Sequence, residues 1–220
     1  MDSQFPSEIS ARIEACGVVA VLVIDDAAHA VSLAKSLLEG GIDVMELTLR
    51  TPAAIEALTT ICRDVPEMLA GIGTILTKQQ VVDVVEAGAK FGVAPGLNPN
   101  VVSEAQRLGL PFAPGIATPS DVESAIELGC RELKFFPAEP SGGLTYLKSL
   151  AAPYAHLGVR YVPLGGVNID NLPTYISDAN IMAVGGSWLA PRSDINSENW
   201  QVITDRASAA RRAVDEARGE

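Results

Sequence analysis

Residues 44–73 read Val44-Met45-Glu46-Leu47-Thr48-Leu49-Arg50 followed by TPAAIEALTTICRDVPEMLAGIG, and the order of their parts decides the fold. An apolar run with a period of two leads into Thr51-Pro52, a helix start in which the fixed φ of proline suits the first turn. AAIEALTTICRD then carries apolar residues at helical spacing, and Met68 to Ile72 is a second short apolar run. Strand, helix and strand in about thirty residues make a βαβ unit, whose strands run parallel because the helix covers the return.

The same order recurs to either side. Candidate strands are Val18 to Val23, Val44 to Leu49, Met68 to Ile72, Phe91 to Val93, Pro111 to Ala113, Leu133 to Phe136, Arg160 to Pro163 and Ile181 to Val184. Helical segments follow the start signals Asp26, Thr51-Pro52, Thr77, Asn98-Pro99 and Thr118-Pro119, and four of the five end near a glycine, at Gly40, Gly88, Gly109 and Gly129. Eight such units predict a single α/β domain over residues 1–220, a closed (β/α)8 TIM barrel. An extra N-terminal helix over Ser7 to Cys16 caps its bottom, and Asn199 to Arg218 closes the chain. An open doubly wound sheet is the alternative, but no GxGxxG opens a helix after the first strand. Residues 191–198, PRSDINSE, read as the one clearly polar insertion.

Composition narrows the function. Of the 220 residues 48% are hydrophobic and 20% charged, enough apolar material for two packed layers. No apolar run reaches the roughly 18 residues of a membrane span, and the start MDSQFPSEIS has no signal-peptide pattern, which predicts a cytoplasmic protein with no membrane partner. A formal charge of −11 disfavours nucleic acid, whose phosphates it repels. Cys16, Cys62 and Cys130 lack metal or disulfide spacing and read as buried thiols. With two histidines in the chain, a His-rich metal centre is not expected.

Charged residues inside apolar strands need a reason to be there. The period of two places Glu46, Thr48 and Arg50 on one face of the second strand, and Lys134 opposite Leu133 and Phe135 in the sixth. Both polar faces must look into the barrel, and strands two and six share a parity, so their long side chains meet across the axis. An amine out of water loses stabilisation of its charged form, and the free amine is the nucleophile. A neighbouring carboxylate can move protons for it. Lys134 and Glu46 therefore read as Schiff-base machinery; an ion pair bracing the core is the alternative. Of five lysines, only Lys134 interrupts a strand. Arg50, at the C-terminal end of its strand, suits a substrate carboxylate. Thr74 ends strand three after Gly71-Ile72-Gly73, small neighbours that let a ligand approach closely. Gly165-Gly166 and Gly185-Gly186-Ser187 follow the last two strands, where barrels bind phosphate.

These residues resemble the bacterial 2-keto-3-deoxy-6-phosphogluconate (KDPG) and 4-hydroxy-2-oxoglutarate (KHG) aldolases. The likeness lies in Gly41 to Arg50, in Gly129-Cys-Arg-Glu-Leu-Lys134-Phe-Phe-Pro-Ala-Glu-Pro-Ser-Gly142, and in Gly71 to Thr74, Ala94 to Leu97, Pro114-Gly115 and Gly185 to Leu189. It implies a class I aldolase, a carbon–carbon lyase that releases pyruvate and glyceraldehyde 3-phosphate. Lys134 would form the imine and Glu46 shuttle protons, with Arg50 and Thr74 on the pyruvyl carboxylate. Pro95 and Phe136 would be pocket walls, and Gly165, Gly166, Gly186 and Ser187 phosphate ligands. A homotrimer without metal or organic cofactor, acting in the Entner–Doudoroff or a related sugar-acid route, is implied as well.

One position departs. Where the phosphogluconate enzymes typically read Pro-Thr-Gly-Gly, this chain has Pro163-Leu164-Gly165-Gly166. Leucine offers shape and dryness in place of a hydroxyl, and the phosphogalactonate aldolases also carry an apolar residue there, so the resemblance leaves the C4 epimer open. The rival readings are a phosphate-binding barrel isomerase or synthase, in which Lys134 is only a charge, and a catalytically silent trimer.

Overall fold

The computed structural model describes residues 5–219; residues 1–4 and 220 of the expected domain lie outside the described residues. Nine short strands are present among the described residues: β1 (Val18–Leu22), β2 (Val44–Thr48), β3 (Leu69–Gly73), β4 (Gly92–Val93), β5 (Phe112–Ala113), β6 (Gly115–Ile116), β7 (Glu132–Phe135), β8 (Arg160–Pro163) and β9 (Val184–Gly186). All pair in parallel, in a six-stranded sheet ordered β5-β4-β3-β2-β1-β9 and a three-stranded sheet β6-β7-β8. The result is an α/β fold whose parallel sheet curls as a half-barrel.

Two strand expectations are corrected. The fifth run, Pro111 to Ala113, is present as β5 paired with β4, but a further strand was not expected: Pro114 has no N–H for a ladder, and beyond it β6 pairs with β7 instead. The eighth strand is Val184–Gly186 rather than Ile181 to Val184. Ile181 makes only an isolated bridge to Tyr161, while Val184, Gly185 and Gly186 take the register of β1. Ile181, Met182 and Ala183 are apolar because they are buried, which is a separate property from ladder pairing.

The helices are α1 (Ser7–Cys16), α2 (Ala30–Glu39), α3 (Ala54–Asp64), α4 (Lys78–Glu86), α5 (Pro99–Arg107), α6 (Pro119–Glu127), α7 (Gly143–Ala151), α8 (Leu172–Ile176), α9 (Arg192–Asn196) and α10 (Trp200–Arg218). Thr77 with Gln80 and Thr118 with Asp121 form capping boxes, in which each side chain satisfies an otherwise orphaned backbone N–H. Asp26 caps a short 3-10 turn, Ala27–His29, that precedes α2. The polar stretch 191–198 is not a plain loop: it contains α9, which buries Ile195.

Inner and outer layers are fully apolar where they meet. Leu47, Ile72, Leu133 and Phe135 have no exposure, and each such side chain contributes roughly 1.5–3 kcal/mol on burial. Beneath the strands, α1 is tied down by Arg12 to Asp43 at 2.7 Å and by Arg160 to Glu14 at 2.6 Å. Arg211 of α10 donates to the carbonyl of Cys16 at 2.8 Å, and Arg218 to that of Glu14 at 2.7 Å. Cys16 and Cys130 are buried and Cys62 is half-buried, so the expectation of three buried thiols is met at two. Burial pushes the Cys16 thiol up to about 11 and that of Cys130 up to about 12, which keeps both protonated at neutral pH.

Candidate active site

Glu46 comes from β2 in one sheet and Lys134 from β7 in the other, yet they touch. The Lys134 Nζ donates to Glu46 Oε1 at 3.3 Å and Oε2 at 3.4 Å, with side-chain exposures of 8% and 3%. Register explains the height at which they meet. Glu46 lies beside Val21 of β1 and Gly71 of β3, while Lys134 lies between Gly115 of β6 and Val162 of β8. Leu133 and Phe135 fill the opposite face of β7, so Lys134 has no direction but inward.

The pair separates two spaces. Below it lies an apolar cavity of about 30 Å³ walled by Phe91, Val93, Val162 and Met182 among others. Above it a cavity of about 200 Å³ opens past the C-terminal ends of the strands, the end where barrel enzymes build their sites. Glu46 and Lys134 border both. The upper walls are Arg50, Thr74, Pro95, Phe136, Leu164, Gly165 and Ser187, all singled out in the sequence. Phe136 stands with its ring centroid 5.6 Å from the Lys134 Nζ.

Two expected residues do not line this cavity. A Cβ on Gly166 would fall 2.5 Å from the Cβ of Glu139, and one on Gly186 would fall 2.6 Å from the Trp188 ring, so both glycines are pressed against protein on that side. Gly185 borders the cavity instead, with Val21 and Thr48. Sequence reasoning missed Val21 as a site residue and read Gly185 only as part of the second glycine loop. The period of two could have found Val21, which lies beside Glu46 in the β1–β2 register. The Thr48 hydroxyl is already committed, donating to the Leu22 carbonyl at 3.0 Å.

Several polar groups here have no protein partner. Arg50 is exposed and makes no ion pair among the described residues. The backbone N–H groups of Gly165, Gly166 and Ser187 donate to no carbonyl among the described residues. Gly165 and Gly166 have φ of +93° and +88°, a conformation that turns successive N–H groups outward and that glycine adopts without strain. Thr74 has φ of +64° without being glycine, a local strain of the kind that collects at functional sites. A cation beside a nucleophile-and-carboxylate pair, with free N–H donors at the far wall, is suited to an anionic carbonyl compound carrying a second anionic group.

Comparison with known proteins gives the same picture. The KDPG and KHG aldolase family matches residues 9–206. The 2-dehydro-3-deoxy-phosphogluconate aldolase of Dickeya dadantii is 41% identical over 193 residues, covering 88% of this chain and 90% of that protein. The KHG/KDPG aldolase of Escherichia coli is 39% identical over 201 residues, covering 91% and 92%. Among solved structures, the KDPG aldolase of Legionella pneumophila, with pyruvate captured as a covalent carbinolamine intermediate, superposes with a TM-score of 0.87 at 38% identity over 91% of this chain and 97% of that one. This chain belongs to the KDPG and KHG aldolase family.

Proposed function

We propose that the protein is a class I aldolase that cleaves 2-dehydro-3-deoxy-6-phosphogluconate to pyruvate and D-glyceraldehyde 3-phosphate through a Schiff base on Lys134. The observation that carries this reading is the contact of the Lys134 Nζ with both oxygens of Glu46, at 3.3 and 3.4 Å, on the floor of the cavity beside Arg50. The free amine attacks C2 of the substrate, Glu46 carries the proton released from nitrogen to the carbinolamine oxygen, and a second proton, taken up from solvent through Glu46, lets that hydroxyl leave as water so that an iminium forms. Loss of the C4 hydroxyl proton then breaks the C3–C4 bond, with the electron pair drawn into the iminium to give an enamine. The aldehyde phosphate departs. A proton added at C3 and water added at C2 release pyruvate and restore the amine.

Arg50 and Thr74 hold the pyruvyl carboxylate in this reading, Pro95 and Phe136 wall the reacting carbons, and the N–H groups of Gly165 and Ser187, which border the cavity, receive the phosphate, with Gly166 and Gly186 shaping the two loops that carry them. No metal or organic cofactor takes part. The single domain closes as an eight-stranded barrel, counting β5 and β6 as one strand broken at Pro114. Hydrogen bonds from Gly115 N to Gly96 O at 3.3 Å and from Met182 N to Tyr161 O at 3.1 Å support that closure by tying the two sheets at both seams. No helix among the described residues is long and apolar enough to cross a membrane. We place the enzyme in the cytoplasm as a homotrimer, in the Entner–Doudoroff route or a related one.

Leu164 favours a second reading. It is 5% exposed and walls the cavity next to Gly185, giving the C4 hydroxyl an apolar neighbour. The phosphogalactonate epimer or unphosphorylated 4-hydroxy-2-oxoglutarate is then the better substrate. Borohydride reduction with pyruvate tests the chemistry: a mass increment on the peptide holding Lys134 is expected, and its absence would favour a phosphate-binding isomerase or synthase. Relative kcat/KM for the three substrates decides between the first and second readings.

A further inference from the structure

Strand β3 turns three residues of one parity inward, Leu69, Gly71 and Gly73, and two of these have no side chain. The space they vacate is not left for a ligand, as the sequence suggested, because neighbouring side chains occupy it. A Cβ on Gly71 would lie 2.4 Å from the ring of Phe91. One on Gly73 would lie 1.6 Å from Glu46 Oε1, 2.5 Å from its Cδ and 2.9 Å from its Cγ. The carboxylate end of Glu46 thus sits where any other residue at 73 would place its first carbon. The three nearest atoms all belong to one flexible side chain.

We infer that Gly73 is a positioning residue for the reaction: its missing side chain is the berth that holds the Glu46 carboxylate against the Lys134 amine. The inference rests on the proposed Schiff-base chemistry. With a methyl group at 73, the clash is relieved most cheaply by rotating Glu46, since β3 is held on both sides by ladders to β2 and β4. Rotation large enough to restore van der Waals distance withdraws the carboxylate by more than an ångström, and its contact with the Lys134 Nζ is lost. Misplacement of that size costs on the order of 10²-fold in rate. Separating the buried pair also costs some fold stability, whereas the equivalent change at Gly71 presses a methyl into a buried aromatic ring and leaves the pair in contact.

The test compares Gly73→Ala, Gly71→Ala, Glu46→Asp and the double variant Gly73→Ala/Glu46→Asp, after borohydride trapping has established the lysine adduct in the unaltered protein. Gly73→Ala is expected to lower kcat about 10²-fold with KM changed less than about threefold. Gly71→Ala should lower the midpoint while leaving kcat of the folded enzyme within about threefold, because overpacking acts on the core. The decisive measurement is the coupling. Glu46→Asp alone should be costly, but in the Gly73→Ala background it should cost less than about threefold, since the longer carboxylate has already been dislodged. Multiplicative penalties, or normal kcat in Gly73→Ala, overturn the inference while leaving the aldolase reading intact. Failure to trap pyruvate in the unaltered protein is a failure of that reading instead.

Discussion

At the N-terminal ends of the strands Arg12 meets Asp43 at 2.7 Å and Arg160 meets Glu14 at 2.6 Å, whereas in the cavity at the C-terminal ends Arg50 has no carboxylate partner among the described residues. The backbone differs in the same sense. Below, arginines of α10 satisfy the last carbonyls of α1, while above, the N–H groups of Gly165, Gly166 and Ser187 are unused and Thr74 is held at φ of +64°. The charges and carbonyls named at the lower end are matched internally, while Arg50 and the glycine-loop amides at the upper end leave room for partners that a ligand can supply. Stability and function are thus drawn from opposite ends of the same strands.

The contrast can be broken most severely at the pair between the two regions. Lys134→Met should lower kcat by about 10⁴-fold or more and abolish the borohydride adduct. It should also destabilise the protein by about 3 kcal/mol, because it leaves Glu46 buried without its cation. Urea denaturation measures that loss, and Lys134→Met/Glu46→Gln should recover part of the stability and none of the activity. Next in size, Arg50→Ala should raise KM for the keto acid roughly 10- to 100-fold at unchanged thermal midpoint, since its exposed guanidinium makes no ion pair among the described residues. A lower midpoint would mean that Arg50 belongs to the matched set after all.

Smaller effects sharpen the comparison. Thr74→Gly removes a left-handed strain of about 1–2 kcal/mol against a glycine entropy cost of about 0.5–1 kcal/mol. Denaturation should show stability held or slightly raised, with a higher KM, the reverse of what a core position gives. Glu14→Ala, at a half-exposed pair, should cost less than about 1 kcal/mol, less still at high salt, with kcat untouched. A change in kcat there would show that the lower end communicates with the site.

Much of this was legible in the chain. Helix starts carrying Thr77, Asn98 or Thr118 were readable because a side-chain oxygen announces them, joined by Gln80 at the first and by a proline at the other two, whereas α7 follows Gly142 with no side-chain cap and α8 follows Asn171 without a capping bond. Lys134 and Glu46 were found because a charge in an apolar strand is costly and therefore conspicuous. Gly166 and Gly186 were read as a generic glycine site, and the structure presses them against Glu139 and Trp188. A glycine in a sequence declares only that space is available.

The sequence by itself determined the alternation of strand and helix, the inward faces of β2 and β7, and the family. Local periodicity and the high cost of burying charge are properties of neighbouring residues and need no third dimension. Only the tertiary structure decided that Pro114 divides the pairing between two sheets, that Glu46 and Lys134 meet at 3.3 Å across 88 residues of chain, and that the Glu46 carboxylate occupies the space Gly73 leaves empty. These are consequences of register and packing, which are fixed when strands distant in sequence settle side by side.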